Sequence, residues 1–144
     1  MNVRSAMALA ALLGACSGLP LQPPEQAQAP APEPAARENI AVASLLEGAR
    51  TEAAAGRLAN AAASLERALR IEPRNPRLWQ ALARVRLQQG DYAQTESTAR
   101  RSSSWAGGDS ALRSENWRLI AQAREARGDA DGARAALEAA GRQK

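Results

Sequence analysis

The chain carries an internal repeat. Gly56 and Gly90 stand 34 residues apart, as do Ala49 and Ala83, and Leu45 holds the place that Trp79 holds one period later. A third copy follows at a spacing of 38, seen both from Trp79 to Trp117 and from Gly90-Asp91 to Gly128-Asp129. The two landmarks agree on four extra residues, which the alignment assigns to a loop around Ala106 to Ser110. A period of this length restricts the architecture, because one unit cannot bury its apolar face alone and must stack on its neighbours.

Composition decides between helix and sheet. Hydrophobic residues make up 45% of the 144, but 36 of those 65 are alanine and only 22 are Leu, Ile or Val. With no Phe, one Tyr and three Trp, a sheet core has little to fill it, whereas close-packed helices use alanine where backbones approach. Leu58, Ala61, Leu65, Ala68 and Leu69 recur at helical spacing, as do Trp79, Leu82, Val85 and Leu87 in the next copy. Asn75-Pro76 supplies an N-cap followed by a proline at the first helical position, and Asp91 with Gln94 offers a capping box. Gly56, Gly90 and Gly128 fall where each first helix must end. The pattern predicts helices over 39–55, 58–71, 76–89, 92–104, 111–127 and 130–141.

These residues resemble the tetratricopeptide repeat, a helix-turn-helix unit, over about residues 39 to 143. The matching positions are Ala49, Gly56, Ala61, Ala68, Leu69 and Pro73 in the first copy, then Trp79, Leu82, Ala83, Gly90, Asp91 and Tyr92 in the second. In the third they are Trp117, Ile120, Ala121, Gly128, Asp129, Ala133 and Leu137. Arg86 and Arg124 replace a usual aromatic, Thr95 replaces a small alanine, and the second copy lacks its closing proline near Gly107, so its later half is degenerate. The resemblance implies an all-α fold: three repeats, about 42–75, 76–109 and 114–144, in a short right-handed solenoid covering 38–144 and preceded by a disordered linker. No seventh capping helix is expected after Gly141, which points to a marginally stable domain or one whose end is covered by a partner.

The resemblance also implies a concave groove lined by the first helices. Its positions here are Leu46, Arg50 and Ala53, then Gln80, Arg84 and Leu87, then Arg118, Gln122 and Glu125. Arg50, Arg84 and Arg118 suit carboxylates of an acidic segment, since guanidinium groups fork onto them. The competing reading makes them solvated faces pairing with Glu47 or Glu52. Trp79 and Trp117 read as repeat core. Trp105, outside the signature in the SSSWAGGDS stretch, is expected either to dock on repeat three or to anchor a partner.

The N-terminus reads as an address. Arg4 precedes an apolar run of eight residues from Ala6 to Leu13, where a membrane-crossing helix needs roughly 20. Residues 1–15 therefore read as a signal peptide. Leu13-Gly14-Ala15-Cys16 resembles the lipobox of bacterial lipoproteins, which implies lipidation of Cys16 and, with Ser17 rather than Asp next, anchorage in the outer membrane facing the periplasm. Residues 17–37 carry six prolines in 21 residues and read as an extended tether, at most roughly 65 Å long in polyproline II at about 3.1 Å per residue.

Histidine is absent and cysteine occurs once, which excludes a His base, a His-based triad, an internal disulfide and a zinc cage. No nucleophile-base pair or phosphate loop stands out, so no catalytic residue, metal or cofactor is expected. The 19 basic and 15 acidic side chains form no basic stripe, and no nucleic-acid partner is expected. Signal, lipid anchor, tether and a small repeat domain together resemble the outer-membrane lipoproteins, of the LpoP type, that activate penicillin-binding proteins. That implies a protein partner, a class A penicillin-binding protein, alongside the membrane held through the lipid. The alternative is a pilotin-type assembly lipoprotein for a pilus or secretion pore.

Overall fold

A computed structural model describes residues 34–143. The signal peptide, Cys16 and residues 17–33 of the tether lie outside the described residues. Six helices follow one another: α1 (Pro34–Ala54), α2 (Leu58–Ile71), α3 (Pro76–Gln88), α4 (Tyr92–Trp105), α5 (Ser110–Ala126) and α6 (Ala130–Gly141). Each packs on the next, and α3 also packs on α5. This is the stacked arrangement of three antiparallel helix pairs. Among the described residues there is no strand, and no helix is long and apolar enough to cross a membrane.

The boundaries come from local chemistry. Gly56, Gly90 and Gly128 take φ values of 74°, 78° and 82°, where a side chain would be strained. Each lets the next N–H turn back onto the helix it closes: Arg57 N to Glu52 O at 2.9 Å, Asp91 N to Arg86 O at 2.9 Å, and Asp129 N to Arg124 O at 2.9 Å. Asn75 Oδ1 accepts from Arg77 N at 3.0 Å and Leu78 N at 3.4 Å, ahead of Pro76. Asp91 Oδ1 accepts from Gln94 N at 3.1 Å. Only that arm of the expected capping box forms, because the N–H of Asp91 is already bonded to Arg86 O.

Two boundaries differ from the sequence expectation. α1 starts at Pro34 rather than residue 39, since proline suits a first helical turn and Ala35-Ala36-Arg37-Glu38 contains nothing to break the helix. The four extra residues of the third copy form no loop. The α2–α3 and α4–α5 connections have the same length, 72–75 and 106–109, while α5 has 17 residues to the 13 of α3. The insertion is an added turn of α5, started by Asp109, whose Oδ1 accepts from Leu112 N at 2.9 Å. Four residues rotate a helix by only about 40° beyond a full turn, so the buried face is kept and Leu112 and Asn116 lie on it.

The alanine surplus has a place in this packing. Among the described residues, thirteen of the 22 buried apolar side chains are alanine, nearly all on helices that pack together. One apolar cluster joins Val42 and Ala49 of α1, Leu65 and Leu69 of α2, and Leu78, Leu82 and Val85 of α3, with Trp79 half-buried against it. A second joins Ala83, Ala99, Leu119, Ile120, Ala121 and Ala136, with Trp117 and Leu87 packed on it. Arg86 and Arg124, standing where the repeat usually has an aromatic, each reach back to the second helix of the preceding repeat. Arg86 donates to Glu66 Oε1 at 2.6 Å, and Arg124 Nε to Glu96 Oε2 at 3.1 Å.

The degenerate half of repeat two folds as α4, whose buried Thr95 and Ser102 hydroxyls both find acceptors. Thr95 Oγ1 donates to Asp91 O at 2.8 Å and Ser102 Oγ to Pro76 O at 2.7 Å. A buried hydroxyl left unbonded costs about 1–3 kcal/mol, so these bonds permit Thr95 and Ser102 to be wholly buried.

Candidate functional site

The first helices of the repeats enclose a trough. Leu46, Ala49, Arg50 and Ala53 of α1 face Gln80, Ala81, Arg84 and Val85 of α3 across a hollow of about 560 Å³, with Arg77 and Glu115 at its rim. A second hollow of about 360 Å³ continues along α3 and α5, lined by Arg84, Leu87, Gln88, Glu115, Arg118, Leu119 and Gln122. The two share Arg84, Gln88 and Glu115 and form one continuous surface. The structure thus brings Leu46, Arg50, Ala53, Gln80, Arg84, Leu87, Arg118 and Gln122 together in this trough. Glu125 is exposed but lines neither hollow.

The polar groups of the trough are ordered from beneath. Asn116, one residue ahead of Trp117 on α5, is wholly buried. Its Nδ2 donates to Ser102 Oγ at 2.8 Å and Ser103 Oγ at 3.1 Å, while its Oδ1 accepts from Gln80 Nε2 at 3.2 Å. Gln80 also donates to Glu115 Oε2 at 3.2 Å and accepts from Arg84 Nη2 at 3.4 Å. Arg84 Nη2 in turn donates to Glu115 Oε2 at 2.7 Å. Side chains from three helices therefore fix where the Arg84 guanidinium stands.

The centre of the trough is less basic than the sequence suggests, because Glu115 already occupies Arg84. Glu115 and Asn116 stand one period after Arg77 and Leu78, outside the repeat's signature positions, and their partners Gln80 and Arg84 are more than 30 residues away in sequence. The signal available was their position just ahead of Trp117. Arg50 pairs with Glu47 at 3.3 Å, both well exposed, an interaction worth about 0–1 kcal/mol. Glu52 instead holds Arg57 Nε at 2.6 Å and Asn60 Nδ2 at 3.1 Å, and the Arg57 hydrogen bond first, then that of Asn60, depresses its carboxyl below the ordinary 4.5. Arg118 has no carboxylate partner among the described residues. The trough offers an apolar hollow, one preset guanidinium and two loosely held ones.

Trp105 lies elsewhere. It closes α4 and meets two arginines: the Arg74 guanidinium sits 5.2 Å and that of Arg101 5.9 Å from its ring centre. It remains 37% exposed.

The tetratricopeptide-repeat family model matches residues 52–114. Among solved structures, the globular C-terminal domain of LpoP from P. aeruginosa is similar to this chain, with 51% sequence identity and a TM-score of 0.68 over 69% of this chain and 94% of that one. Among curated protein sequences none matches.

Proposed function

The chain belongs to the tetratricopeptide-repeat proteins of LpoP type, and on that premise we propose that it is an outer-membrane lipoprotein that activates a class A penicillin-binding protein. Its repeat domain is a protein-interaction module, and the proposal assigns the trough along α1, α3 and α5 as the surface that engages the synthase. Cys16 carries the acyl anchor and residues 17–33 the reach across the periplasm. The protein acts by binding alone: it favours the active conformation of the enzyme to the extent that it binds that conformation more tightly.

The supporting observation is the continuity of the trough. An apolar side chain of the partner fills the hollow between Leu46 and Val85, and flanking carboxylates reach Arg50 and Arg118. A carboxylate at the centre exchanges with Glu115 on Arg84, whose position Gln80 and Asn116 preserve throughout.

The test uses the chain from Pro32 to Lys144, which keeps all of α1, with a purified class A penicillin-binding protein. Saturable binding and faster glycan polymerisation are expected. Arg50→Ala, Arg84→Ala and Arg118→Ala combined should weaken binding by at least tenfold, since truncating interfacial charge partners costs about 2–5 kcal/mol when they are desolvated. Unchanged affinity removes the trough from the proposal. Absence of stimulation, with capture of an outer-membrane pore subunit instead, replaces it with the assembly role.

A further inference from the structure

One edge of the solenoid differs from the trough. The first helices begin there and the second helices end there: α1 starts at Pro34, α2 closes at Ile71 and α4 closes at Trp105. Ile40, Ile71 and Trp105, at 61%, 37% and 37% exposure, are three of the four large hydrophobic residues exposed among those described. Arg67, Arg70, Arg74 and Arg101 are exposed beside them, with no carboxylate partner among the described residues. Arg67, Arg70 and Ile71 share a shallow depression with Ala41, Ser44 and Leu45, which places them against α1.

Two of these arginines are arranged by aromatic rings. The Arg101 guanidinium lies over both Trp79 and Trp105, 5.6 and 5.9 Å from the ring centres, and Arg74 lies over Trp105 at 5.2 Å. Trp79 is itself fixed, its Nε1 donating to Pro73 O at 2.8 Å. A guanidinium stacked on a ring keeps its in-plane N–H donors free for an oxyanion, and the side chains of Arg74 and Arg101 donate to no acceptor among the described residues. The neighbouring acids are committed: Glu72 accepts from Asn75 Nδ2 at 2.6 Å, and Asp109 pairs with Arg77 at 3.2 Å while capping α5.

We infer that this edge docks on an anionic phospholipid surface, with Arg74 and Arg101 on headgroup phosphates and Trp105, Ile71 and Ile40 seated between headgroups. Its charge and its apolar side chains both match such a layer. Indole and aliphatic tips interleaved with arginine along an edge are suited to the membrane interface, whereas a peptide is better served by the concave trough. The 33 residues ahead of α1 join the domain at this edge, so a membrane holding the N-terminus meets it at raised effective concentration. The docking does not depend on any partner in the trough.

The experiment uses the unlipidated chain from Pro32 to Lys144, whose counterpart in the LpoP relative is a globular domain, in sedimentation with vesicles. Binding to phosphatidylglycerol-containing vesicles is expected, falling with added salt, and pure phosphatidylcholine vesicles should capture far less. Arg74→Ala with Arg101→Ala should reduce partitioning more than tenfold, at roughly fivefold per arginine near a charged surface. Trp105→Ala should reduce it as well, with a melting curve confirming that the helices persist, and Arg118→Ala in the trough should change nothing. No binding, or equal binding to both vesicle types, overturns the inference. So does an equal loss from Arg118→Ala, which would mean diffuse charge attraction, or full displacement by millimolar inorganic phosphate, which would mean a small-anion site.

Discussion

Between α1, α2 and α3 the buried side chains are Val42, Leu65, Leu69, Leu78, Leu82 and Val85 with alanines among them, whereas between α3, α4 and α5 the buried set includes Gln80, Thr95, Thr98, Ser102 and Asn116. The first junction is held by area removed from water, at about 1.5–3 kcal/mol for each fully buried Leu or Val. Such contacts tolerate small slips, since apolar surfaces have no required partner atoms. The second adds to its own apolar cluster hydrogen bonds that close only in one register. Glu96 extends that seam, with Arg124 at 3.1 Å, Arg127 at 3.0 Å and Arg100 at 3.4 Å around one carboxylate. Both junctions thus bury apolar side chains, Leu119 and Ile120 among them in the second, and the hydrogen bonds of the second add a fixed geometry beneath Arg84.

The contrast is open to attack from both sides. Leu65→Ala, at a side chain 1% exposed in the first junction, should have the largest effect, about 2–5 kcal/mol of unfolding free energy in chemical denaturation. Asn116→Ala should cost about 1–3 kcal/mol by stranding Gln80 and Ser102. Unlike the leucine change, it should also weaken partner binding at concentrations where the protein stays folded. A double-mutant cycle of Gln80→Ala with Asn116→Ala should show coupling of about 0.5–3 kcal/mol; additive losses would mean the seam is no network.

Gly90→Ala, at φ 78° with no heavy atom closer than Tyr92 Oη at 4.0 Å, isolates backbone strain at about 1–2 kcal/mol and should leave the trough unchanged. The smallest effect is expected at Glu52. Its carboxyl is depressed below 4.5 in the folded chain, so its contribution is present above the unfolded value and lost as pH falls through the folded one. Thermal melts of Glu52→Gln should therefore lose slightly less stability than wild type between pH 5 and pH 3. An identical pH dependence would make the Arg57 pair energetically silent.

Most helix boundaries were legible because their causes are local: a glycine at positive φ, an Asn or Asp cap, a proline at the first position. The start of α1 was misread because prolines ahead of residue 34 resemble a linker while Pro34 itself suits a helix start. The extra turn of α5 was misread as a loop because sequence alignment counts residues without saying whether they wind. In the trough, Arg50, Arg84 and Arg118 follow from the repeat register, but Glu115 opposite Arg84 does not. That pairing exists only once α3 and α5 stack, and no periodicity within either helix encodes it. The arginines and tryptophans of the opposite edge are likewise visible one by one in the sequence, and their stacking only in space.

Glu115 and Asn116 give the array a polarity. Three equal rungs would present an elongated ligand with the same spacing whichever way it lay, and slippage by one rung would change little. Glu115 and Asn116 of α5 meet Gln80 and Arg84 of the middle rung, whereas the same register in α3, toward α1, holds Arg77 and Leu78. A segment laid along the trough therefore meets a different sequence of groups in each direction, and only one orientation presents an acidic group to Arg50 and a Glu115-compatible group at the centre.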